Sequence, residues 1–434
     1  MDYQAALLYL DSLGKFGIRL GMERIEGLLR ELGNPEQKIK TVHVTGTNGK
    51  GSVSSMIENI LRAANLKTGK FTSPHLVKYN ERITINGADI NDDSLATLLT
   101  AVKSAADSVV AKGVCEQPTQ FEVLTAAAFL HFALEKVDYA VIEVGMGGLW
   151  DSTNVITPVV SVITNVSLDH TDRCGKTVER IAMQKAGIIK EQVPVVTAAE
   201  GDDALGPIKA VAMFKQAKLY IYGRAFWGTE VASSMEGQTF TLHAGEYYSS
   251  DYSIKLPGAH QIANTSVAIV AAKLISKQDE RINELALHLG VANTIWPGRL
   301  ERIAQGPDII LDGAHNPAGA AALRQALDKY YPAQKRFFVF GMMGDKDMTS
   351  VIKTLIKPFD IVYTVRADNG DRAATAAALA DLIGPQAIAM PNIAAAYEAA
   401  VSAAGCEDVV CICGSLYLVG NFKNMLLQMK DGCH

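Results

Sequence analysis

The segment TVHVTGTNGKGS, residues 41–52, determines the fold prediction for this chain. Its first half is a short β-branched run typical of a buried strand, and its second half is rich in glycine and small polar residues. A helical pattern, 53–64, follows at once. A strand, a glycine-rich turn and a helix in this order predict a phosphate-binding loop, because backbone N–H groups and the helix N-terminus converge on phosphate oxygens.

Two side chains of this segment are suited to a nucleotide. Lys50 can neutralise the β- and γ-phosphates, and the Ser52 hydroxyl can bind Mg²⁺. The standard pattern places Ser or Thr directly after the lysine, whereas here Gly51 intervenes. A glycine-rich turn without a ligand is the alternative. We predict an ATP site formed by Thr47, Asn48, Gly49, Lys50, Gly51 and Ser52.

Around this segment, short apolar runs alternate with longer helical patterns, which is typical of parallel sheets covered by helices. Residues 223–256 alternate instead and are rich in aromatic residues, which predicts a small antiparallel appendage. The fold class is therefore α/β. The strand candidates before the appendage are 41–45, 70–72, 137–144, 159–164, 194–197 and 219–222, with helices that include 53–64 and 125–134.

A second alternating unit begins after Trp296-Pro297-Gly298-Arg299, where Pro and Gly interrupt a helical pattern. Its strand candidates are PDIILD, RFFVFG, DIVYTV and DVVCICG. We therefore predict an N-terminal P-loop nucleotide domain, residues 1–296, that contains the parallel sheet and its appendage. A C-terminal Rossmann-like α/β domain is predicted over residues 299–434.

Length and composition restrict the function classes. The 434 residues suffice for two or three domains, and 48% hydrophobic with 20% charged residues indicates a globular protein. A formal charge of −5 offers no general attraction for nucleic acid. We find no leader peptide, no run of about 18 apolar residues that could span a bilayer and no secreted disulfide framework among the six cysteines. A cytoplasmic protein is expected.

Polar side chains follow two further strand candidates. Glu143 closes the run 137–144 ahead of three glycines, and His170 lies six residues after the run 159–164. Since ligands bind at the carboxyl ends of parallel strands, both can face the phosphate loop. Each also has a simpler interpretation, Glu143 as a cap of the next segment and His170 as a hydrogen-bonded partner of Asp169.

Four other residues are ambiguous from the sequence alone. Lys185, in the helical pattern 179–190, is interpreted as a surface or phosphate-binding lysine, because an ammonium repels a metal ion. Phe121 and Glu122 fit an amphipathic helix whose apolar face enters the core. Arg82 is suited to a carboxylate or a phosphate, since a guanidinium binds oxyanions through two hydrogen bonds, but an exposed structural arginine fits equally well.

Several of these segments together resemble the folylpolyglutamate and dihydrofolate synthases of the Mur ligase superfamily. Together with the segment GSLY at 414–417, the matching segments extend from residue 43 to residue 417 and follow the family's order. One departure is Trp150, where many members carry a basic or small residue ahead of the DSTN segment. The other matching segments are HVTGTNGKGS at 43–52, TSPHL at 72–76, TQFEVLTAAAF at 119–129, IAMQKAGIIK at 181–190 and DGAHNP at 312–317.

The resemblance implies two Mg²⁺ ions and a modified lysine. In the family the first lysine of IAxxKAGIIK is carbamylated, which turns a cation into an anionic oxygen ligand, and here that residue is Lys185. The sequence does not indicate whether K⁺ also takes part. The implied ligands are Ser52, Ser73 and Glu143 for one ion, and Glu143, His170 and carbamylated Lys185 for the other.

The resemblance also implies roles for residues outside the metal site. Asn264, Arg299 and Asp312 would contact ATP. The residues implied to contact the folate or the glutamate are Arg82, Phe121, Glu122, His315 and Ser415. The implied catalytic residues are Lys50, Glu143, His170, Lys185 and His315.

The activity implied is ATP-dependent ligation of L-glutamate to tetrahydrofolate through an acyl phosphate, with dihydropteroate as a second acceptor. The expected partners are small molecules (folate or dihydropteroate, L-glutamate and ATP), with no nucleic acid and no membrane, and a monomer is expected. Two alternatives stay open, a Mur-type peptide ligase with another carboxyl acceptor and a P-loop protein that uses ATP as a conformational signal. The second would turn over nucleotide without forming an amide.

Overall fold

The computed structural model describes residues 1–14, 17, 21–368, 370 and 372–431. In these ranges the helices are α1 Tyr3–Leu13, α2 Glu23–Glu31, α3 Lys50–Ala63, α4 Asp92–Ala111, α5 Gln120–Leu134, α6 Val178–Ala186, α7 Asp202–Phe214, α8 His260–Ile275, α9 Glu284–Ala292, α10 Pro317–Tyr330, α11 Met348–Leu355, α12 Ala376–Ile383, α13 Ile393–Ala403 and α14 Leu416–Asp431. The strands are β1 Lys40–Thr45, β2 Thr68–Phe71, β3 Ile83–Ile85, β4 Ala88–Asp89, β5 Tyr139–Glu143, β6 Val160–Ile163, β7 Val195–Thr197, β8 Leu219–Ile221, β9 Phe226–Ser234, β10 Gly237–Ala244, β11 Tyr248–Ile254, β12 Glu301–Ala304, β13 Asp308–Asp312, β14 Arg336–Phe340, β15 Ile361–Thr364, β16 Ala387–Ala389 and β17 Val409–Cys413.

Contacts divide the described chain into two compact units. The first comprises Met1–Thr229, Thr241–Tyr252 and Ala263–Thr294, and the second comprises Glu230–Phe240, Ser253–Ile262 and Ile295–His434. Each unit contains one largely parallel sheet, and β9, β10 and β11 form a separate sheet of three strands in the order β11-β10-β9. The predicted α/β class is confirmed, while the domain bounds 1–296 and 299–434 stay a proposal.

The sheet of the first unit has eight strands in the order β4-β3-β2-β5-β1-β6-β7-β8. The six from β2 to β8 pair in parallel, and β3 and β4 are antiparallel at one edge. β1 lies inside this sheet and both of its faces are buried, with Val42 and Val44 on one face and the polar side chains of Thr41, His43 and Thr45 on the other. The carboxyl ends of β2, β5, β1 and β6 therefore lie side by side at one edge, where ligands of parallel sheets bind.

Helices α1, α2, α4 and α5 form a core with one face of this sheet. Phe129 and Phe132 of α5 are fully buried there, and each buried ring contributes about 2–3 kcal/mol. A Cβ atom at Gly69, on β2, would lie 2.6 Å from the Phe132 ring. The ring therefore packs directly on the strand backbone, which places α5 beside the strand that leads to Ser73.

By length and composition alone, helix α4 is long and apolar enough to cross a membrane. This differs from the expectation that the chain has no apolar run of about 18 residues. Its side chains Leu95, Leu99 and Val102 are fully buried in the core with α1, α2 and α5. Its apolar face is therefore covered within the protein, as in the core helix of a globular domain.

Helix α3, which follows the phosphate loop, packs closely on α9. A Cβ atom at Gly290 would lie 2.4 Å from Ile60 Cα, so only glycine allows the two backbones to approach this far. The close packing fixes the axis of α3, and thereby the direction in which its N-terminus points.

The sheet of the second unit has six strands in the order β12-β13-β17-β14-β15-β16. The five from β13 to β16 pair in parallel, and β12 is antiparallel at the edge. The four runs predicted from the sequence correspond to β13, β14, β15 and β17, which confirms the Rossmann-like prediction. Asp312 ends β13 and Gly414 follows β17, so the segments after these adjacent strands lie together.

Candidate active site

The phosphate loop lies between β1 and α3, and two of its glycines are required by close packing. At Gly46 a Cβ atom would lie 1.7 Å from Thr164 Oγ1, and at Gly49 it would lie 2.6 Å from Asn264 Oδ1. Gly49 also has a φ of 84°, a conformation that glycine adopts most readily. The structure therefore brings Asn264, on α8, against the loop.

Asn165 holds the phosphate loop from the segment after the neighbouring strand β6. Its side-chain Oδ1 accepts from the N–H of Asn48 at 2.9 Å, and its carbonyl accepts from the N–H of Thr47 at 3.0 Å. Thr164 Oγ1 donates to the Asn48 carbonyl at 2.6 Å, and Thr47 Oγ1 donates to the Ser167 carbonyl at 3.0 Å. These bonds set the path of the loop between Gly46 and Gly49.

Lys50 and Ser52 lie in the first turn of α3. The Lys50 Nζ donates to the carbonyls of Gly46 and Thr47 at 3.1 and 3.3 Å, so the ammonium lies over the loop. The Ser52 side chain is buried. Because α3 carries no acidic residue in its first turn, the positive end of the helix dipole adds to the charge of Lys50. This helix end therefore favours an anion.

Glu143 and Ser73 meet at the ends of adjacent strands. Glu143 is the last residue of β5, and Ser73 follows β2. The backbone N–H of Ser73 donates to Glu143 Oε2 at 3.4 Å. Because Glu143 is only 3% exposed, its ionised carboxylate requires compensation by positive charge or by hydrogen bonds. Two residues predicted to hold metal are thus brought together.

Lys185 is buried in the last turn of α6. Burial, followed by the nearby charge of Lys50, lowers the pKa of Lys185 to about 7, while Cys174, Asp169 and Asp151 act in the opposite direction. A large share of this amine is therefore neutral near pH 7. The neutral amine is the form that can react with CO₂ to give a carbamate, so the environment suits the predicted modification.

The donor set at this edge fits Mg²⁺. The Glu143 carboxylate and the hydroxyls of Ser52 and Ser73 are oxygen donors, which this ion prefers. Across residues 1–14, 17, 21–368, 370 and 372–431, no group of three or more His, Cys, Asp or Glu side chains is arranged to hold a metal. An Mg²⁺ site here would therefore depend on the serine hydroxyls and on modified Lys185.

His170 lies on the segment after β6, with a half-exposed side chain. Its Nε2 is 4.0 Å from Asp169 Oδ2, and its backbone N–H donates to Asp169 Oδ1 at 2.9 Å. A φ of 49° places it in the left-handed region, which is uncommon outside glycine. The interaction with Asp169 agrees with the simpler interpretation from the sequence, and a role as metal ligand stays a prediction.

The glycines after Glu143 allow other elements to approach that segment closely. A Cβ atom at Gly145 would lie 2.5 Å from Phe121 Cζ, and one at Gly148 would lie 2.7 Å from the Gln184 carbonyl. The N–H of Leu149 donates to the same carbonyl at 2.8 Å. Since Gln184 precedes Lys185, this contact fixes the helix end that carries the buried lysine.

A buried hydrogen-bond network supports the same segment. Asp151 Oδ2 accepts from the N–H of Met146 at 2.8 Å, and its Oδ1 accepts from Thr153 Oγ1 at 2.6 Å. His43 Nε2 lies 2.9 Å from Thr153 Oγ1. Because the threonine hydrogen goes to Asp151, His43 Nε2 is the donor in this contact. Burial, and secondarily the charge of Lys190, lowers the pKa of His43 to about 3, so the imidazole is neutral.

Arg82 lies in the segment after β2 and contacts two aromatic rings. Its Nε donates to His75 Nδ1 at 2.8 Å, and its Cζ lies 5.4 Å from the centre of the Tyr79 ring. The His75 and Tyr79 rings are 4.5 Å apart. Burial, followed by the positive charge of Arg82, lowers the pKa of His75 to about 4. The imidazole is therefore a neutral acceptor for the guanidinium.

Glu122 has a structural role that the sequence analysis did not assign. Its Oε2 accepts from the N–H of Thr119 at 2.6 Å, and Thr119 Oγ1 accepts from the N–H of Glu122 at 3.3 Å, which forms a capping box at the start of α5. The same carboxylate pairs with Arg24 Nε at 3.0 Å. The T-x-x-E pattern at 119–122 is the sequence signal for this cap. A contact of Glu122 with substrate stays a prediction.

In the second unit, Asp312 organises the segment after β13. Its two carboxylate oxygens accept from the N–H groups of Leu300 and Ala314, each at 2.8 Å. A Cβ atom at Gly313 would lie 2.4 Å from Arg299 Nη1, so the guanidinium lies against this glycine. Burial raises the pKa of Asp312, while the charge of Arg299 opposes that shift. The two residues predicted to contact ATP in this unit are neighbours.

His315 and Ser415 lie after the adjacent strands β13 and β17. The His315 ring contacts the Gly313 carbonyl through Nδ1 at 2.8 Å, and an acceptor there requires Nδ1 to carry the hydrogen. Ser415 is buried, and its Oγ accepts from the N–H of Tyr417 at 3.2 Å at the start of α14. The predicted roles of both residues toward glutamate stay a prediction.

Comparisons with known proteins identify the family. Residues 44–272 match the Mur ligase middle domain, and residues 298–416 match the Mur ligase glutamate ligase domain. The chain is 35% identical to the dihydrofolate synthase/folylpolyglutamate synthase of Bacillus subtilis, over 98% of this chain and 99% of the relative. The chain belongs to the folylpolyglutamate synthase/dihydrofolate synthase family. It is also 37% identical to the folylpolyglutamate synthase of Lacticaseibacillus casei, over 99% of this chain and all of the relative.

Solved structures of this family have the same fold. The structure of E. coli FolC in complex with DHPP and ADP matches with a TM-score of 0.89 and 29% identity, over 99% of each chain. The Mycobacterium tuberculosis folylpolyglutamate synthase complexed with ADP matches with a TM-score of 0.90 and 31% identity, over 98% of this chain and 99% of that one. The predicted family and its class of ATP-dependent ligase are confirmed.

Three residues of this folylpolyglutamate synthase family member have contacts that sequence reasoning did not assign. Asn165 holds the phosphate loop, His75 holds Arg82, and Glu81 accepts from the backbone N–H groups of 76, 77 and 78 at 2.7–2.8 Å. His75 lies in the matching segment TSPHL, Glu81 precedes the candidate Arg82, and Asn165 lies five residues before the candidate His170. Their proximity to predicted site residues indicated that they could belong to the site, but the hydrogen-bond partner of each side chain could not be predicted from the sequence.

Proposed function

We propose that this protein uses ATP to add L-glutamate to tetrahydrofolate, and also to dihydropteroate, through an acyl phosphate. The observation that carries the proposal is the grouping at the carboxyl ends of β2, β5, β1 and β6. There a phosphate loop with Lys50 lies beside the ends of strands that carry Ser73 and Glu143, and buried Lys185 is close enough to Lys50 for the two charges to interact. The relatives named as dihydrofolate and folylpolyglutamate synthases support the choice of acid.

The chemistry begins by making a poor electrophile reactive. An oxygen of the folate carboxylate attacks the γ-phosphorus of ATP, the bond from that phosphorus to the β-phosphate oxygen breaks, and ADP leaves. The glutamate amine then attacks the acyl carbon, and phosphate leaves as the amide forms. A carboxylate that is not phosphorylated would have to expel an oxide, which is why the nucleotide is required.

Residues of the first unit provide for the phosphoryl transfer. The Lys50 ammonium and the N-terminus of α3 favour the negative charge of the β- and γ-phosphates, and Asn264 lies against Gly49 where it can reach the nucleotide. Ser52, Ser73, Glu143, His170 and carbamylated Lys185 would hold the two Mg²⁺ ions. Bound Mg²⁺ would reduce the charge on the phosphates and thereby favour transfer.

Residues of the second unit are proposed for ATP and glutamate. Arg299 and Asp312, which are neighbours, are assigned to the nucleotide. His315 and Ser415, at the ends of β13 and β17, are assigned to the incoming glutamate, where the N-terminus of α14 favours its carboxylates. The contact of His315 Nδ1 with the Gly313 carbonyl fixes the orientation of the ring that is assigned to the glutamate.

We also propose a location, an oligomeric state and a class of partners for the enzyme. We assign it to the cytoplasm as a monomer that acts on small molecules, and its net charge of −5 is in keeping with the lack of a nucleic-acid partner. We propose K⁺ as an additional cofactor, and its effect on the ligation rate is the test.

Product analysis tests the proposed function. The purified protein is supplied with ATP, Mg²⁺ and L-glutamate, and with dihydropteroate and tetrahydrofolate in separate reactions. We expect ADP and an amide product that is heavier than the acid by one glutamate residue, formed in equal amounts, with each acceptor. Formation of ADP without an amide would support the ATP-switch alternative, and ligation only with other acids would support a Mur-type peptide ligase.

A further inference from the structure

We propose that His75 is a positioning residue that orients Arg82 toward the carboxylate of the acid substrate without reducing its positive charge. The inference deepens the proposed function and rests on it, because it concerns recognition of the same acid. It is carried by the bond from Arg82 Nε to His75 Nδ1, at 2.8 Å.

The donor and acceptor in this bond are determined by chemistry. A guanidinium has only N–H donors, so His75 Nδ1 must accept and the imidazole hydrogen must lie on Nε2. The bond uses Nε of Arg82, and the two terminal amino groups are not involved in it. Those terminal groups form the edge of a guanidinium that binds a carboxylate through two parallel hydrogen bonds.

The choice of a neutral partner has an electrostatic consequence. An aspartate in place of His75 could accept the same hydrogen bond but would add a negative charge at hydrogen-bond distance from Arg82. An imidazole accepts the bond and adds no charge, so it restricts the guanidinium while leaving its attraction for an anion undiminished. This combination suits an arginine that must bind a charged substrate.

The surrounding segment restricts both residues. The Tyr79 ring lies against the His75 ring and the Arg82 guanidinium, and its hydroxyl donates to Asp11 and accepts from Gln120 Nε2 at 3.1 and 2.9 Å. Glu81 gathers three backbone N–H groups of the turn between His75 and Arg82. The backbone of Arg82 also pairs with Thr72, next to Ser73. The pair is thus built into the turn that follows β2.

Two of the strands around this turn lead to the proposed reaction site. Ser73 precedes His75 by two residues and its N–H donates to Glu143. Phe121, which lies against Gly145, also contacts the Phe71 ring at 5.8 Å between ring centres. Arg82 is therefore attached to the same strand end as Ser73, on the side of the unit where the acid is proposed to bind.

Matched substitutions at residue 75 separate orientation from charge. The Oδ1 of asparagine or aspartate can occupy the place of the histidine Nδ1, so His75→Asn retains a neutral acceptor and His75→Asp retains a charged one. His75→Leu removes the acceptor. We expect His75→Asn to keep the KM for tetrahydrofolate within about threefold of the wild type, and His75→Asp and His75→Leu each to raise it about tenfold or more.

The KM for ATP and the stability of each variant provide the readouts that a merely structural role would not give. The proposal predicts an unchanged KM for ATP in all three variants, together with an unchanged melting temperature for the Asn and Asp variants. A double-mutant cycle adds specificity, since the difference between Asn and Asp at residue 75 should disappear when Arg82 is replaced by Leu.

The outcomes are distinct from those of the proposed function. If the wild-type protein forms no amide from either acid, the proposed function fails, and with it the basis for this inference. If the wild type ligates glutamate but the Asn and Asp variants have the same KM for tetrahydrofolate, the role of His75 is wrong. Equal increases in the KM values for ATP and for the acid would also contradict it.

Discussion

The backbone N–H of Asn48 donates to the side-chain Oδ1 of Asn165 at 2.9 Å, across 117 residues of sequence. Asn48 lies in the phosphate loop and Asn165 follows β6, so this bond joins the loop to the segment that carries Asp169 and His170. Loss of the bond should loosen the loop, because its other ties on this side run through Thr47 and Thr164.

We expect Asn165→Ala to raise the KM for ATP about tenfold, because loss of one partly buried hydrogen bond costs on the order of 1 kcal/mol. The measurement is the initial ligation rate as a function of ATP concentration. Asn424→Ala, at an exposed position of α14, is the matched control and should behave as the wild type. An unchanged KM for ATP in Asn165→Ala would show that the loop does not depend on this bond.

Replacement of Lys185 by Ala should abolish ligation. Lys185 is buried in α6 and is the residue proposed to carry a carbamate. A short carboxylate such as acetate should restore part of the activity, because it can supply the missing anionic oxygen. Lys176→Ala, at an exposed position, should leave the rate unchanged. Wild-type rates in Lys185→Ala would refute the proposed role in metal binding.

A methyl group at Gly148 should destabilise the protein and lower its activity together. Its Cβ would lie 2.7 Å from the Gln184 carbonyl and 3.1 Å from the Lys185 carbonyl, so the end of α6 must move. We expect Gly148→Ala to reduce the free energy of unfolding by about 1–3 kcal/mol, measured by denaturant titration. In Gly14→Ala, at the C-terminal end of α1, φ is −55° and the new Cβ would meet no described atom within 4 Å apart from its chain neighbours and the backbone of its own helix, so we expect a gain of up to about 1 kcal/mol. Equal effects of the two changes would contradict the packing argument.

The fold should lose stability in acid through His43. Its folded pKa is lowered to about 3 from 6.5, so below pH 6.5 the unfolded chain binds a proton that the folded chain does not. By linkage, this residue reduces stability by up to about 1.4 kcal/mol for each pH unit between 6.5 and about 3, and it has no such effect above that window.

His43→Gln tests this pH dependence, because the glutamine amide can donate to Thr153 as the imidazole Nε2 does but does not titrate. The free energy of unfolding of both proteins, measured from pH 7.5 to pH 5, should fall less steeply in the variant. Parallel curves would show that His43 does not contribute to acid sensitivity.

Much of the fold was predictable because its signals are local. The run at 41–45, the glycines that follow and the helix after them have one physical interpretation, and β1 and α3 lie there. The strands of the second unit are equally clear, since runs such as RFFVFG are apolar on both faces and β14 is fully buried. The eight-strand order could not be predicted, because pairing depends on contacts between distant segments.

Side-chain partners within the site were less predictable. The sequence alone left the role of Lys185 ambiguous. The burial of Lys185, which lowers its pKa, follows from how α6 packs on the segment after Glu143. Glu122 was assigned to substrate from the resemblance, although the local T-x-x-E pattern predicts the capping box that the structure contains. The bond between His75 and Arg82 had no local signal, since nothing in the sequence indicates which acceptor a guanidinium selects.

The transfer of oxygen from the acid to phosphate tests most directly the claim that this protein activates a carboxylate with ATP. Dihydropteroate labelled with ¹⁸O in its carboxylate is incubated with the enzyme, ATP and L-glutamate, and the released phosphate is analysed by mass spectrometry. The account predicts one ¹⁸O atom in the phosphate for each amide bond formed. Unlabelled phosphate accompanying amide formation would contradict it.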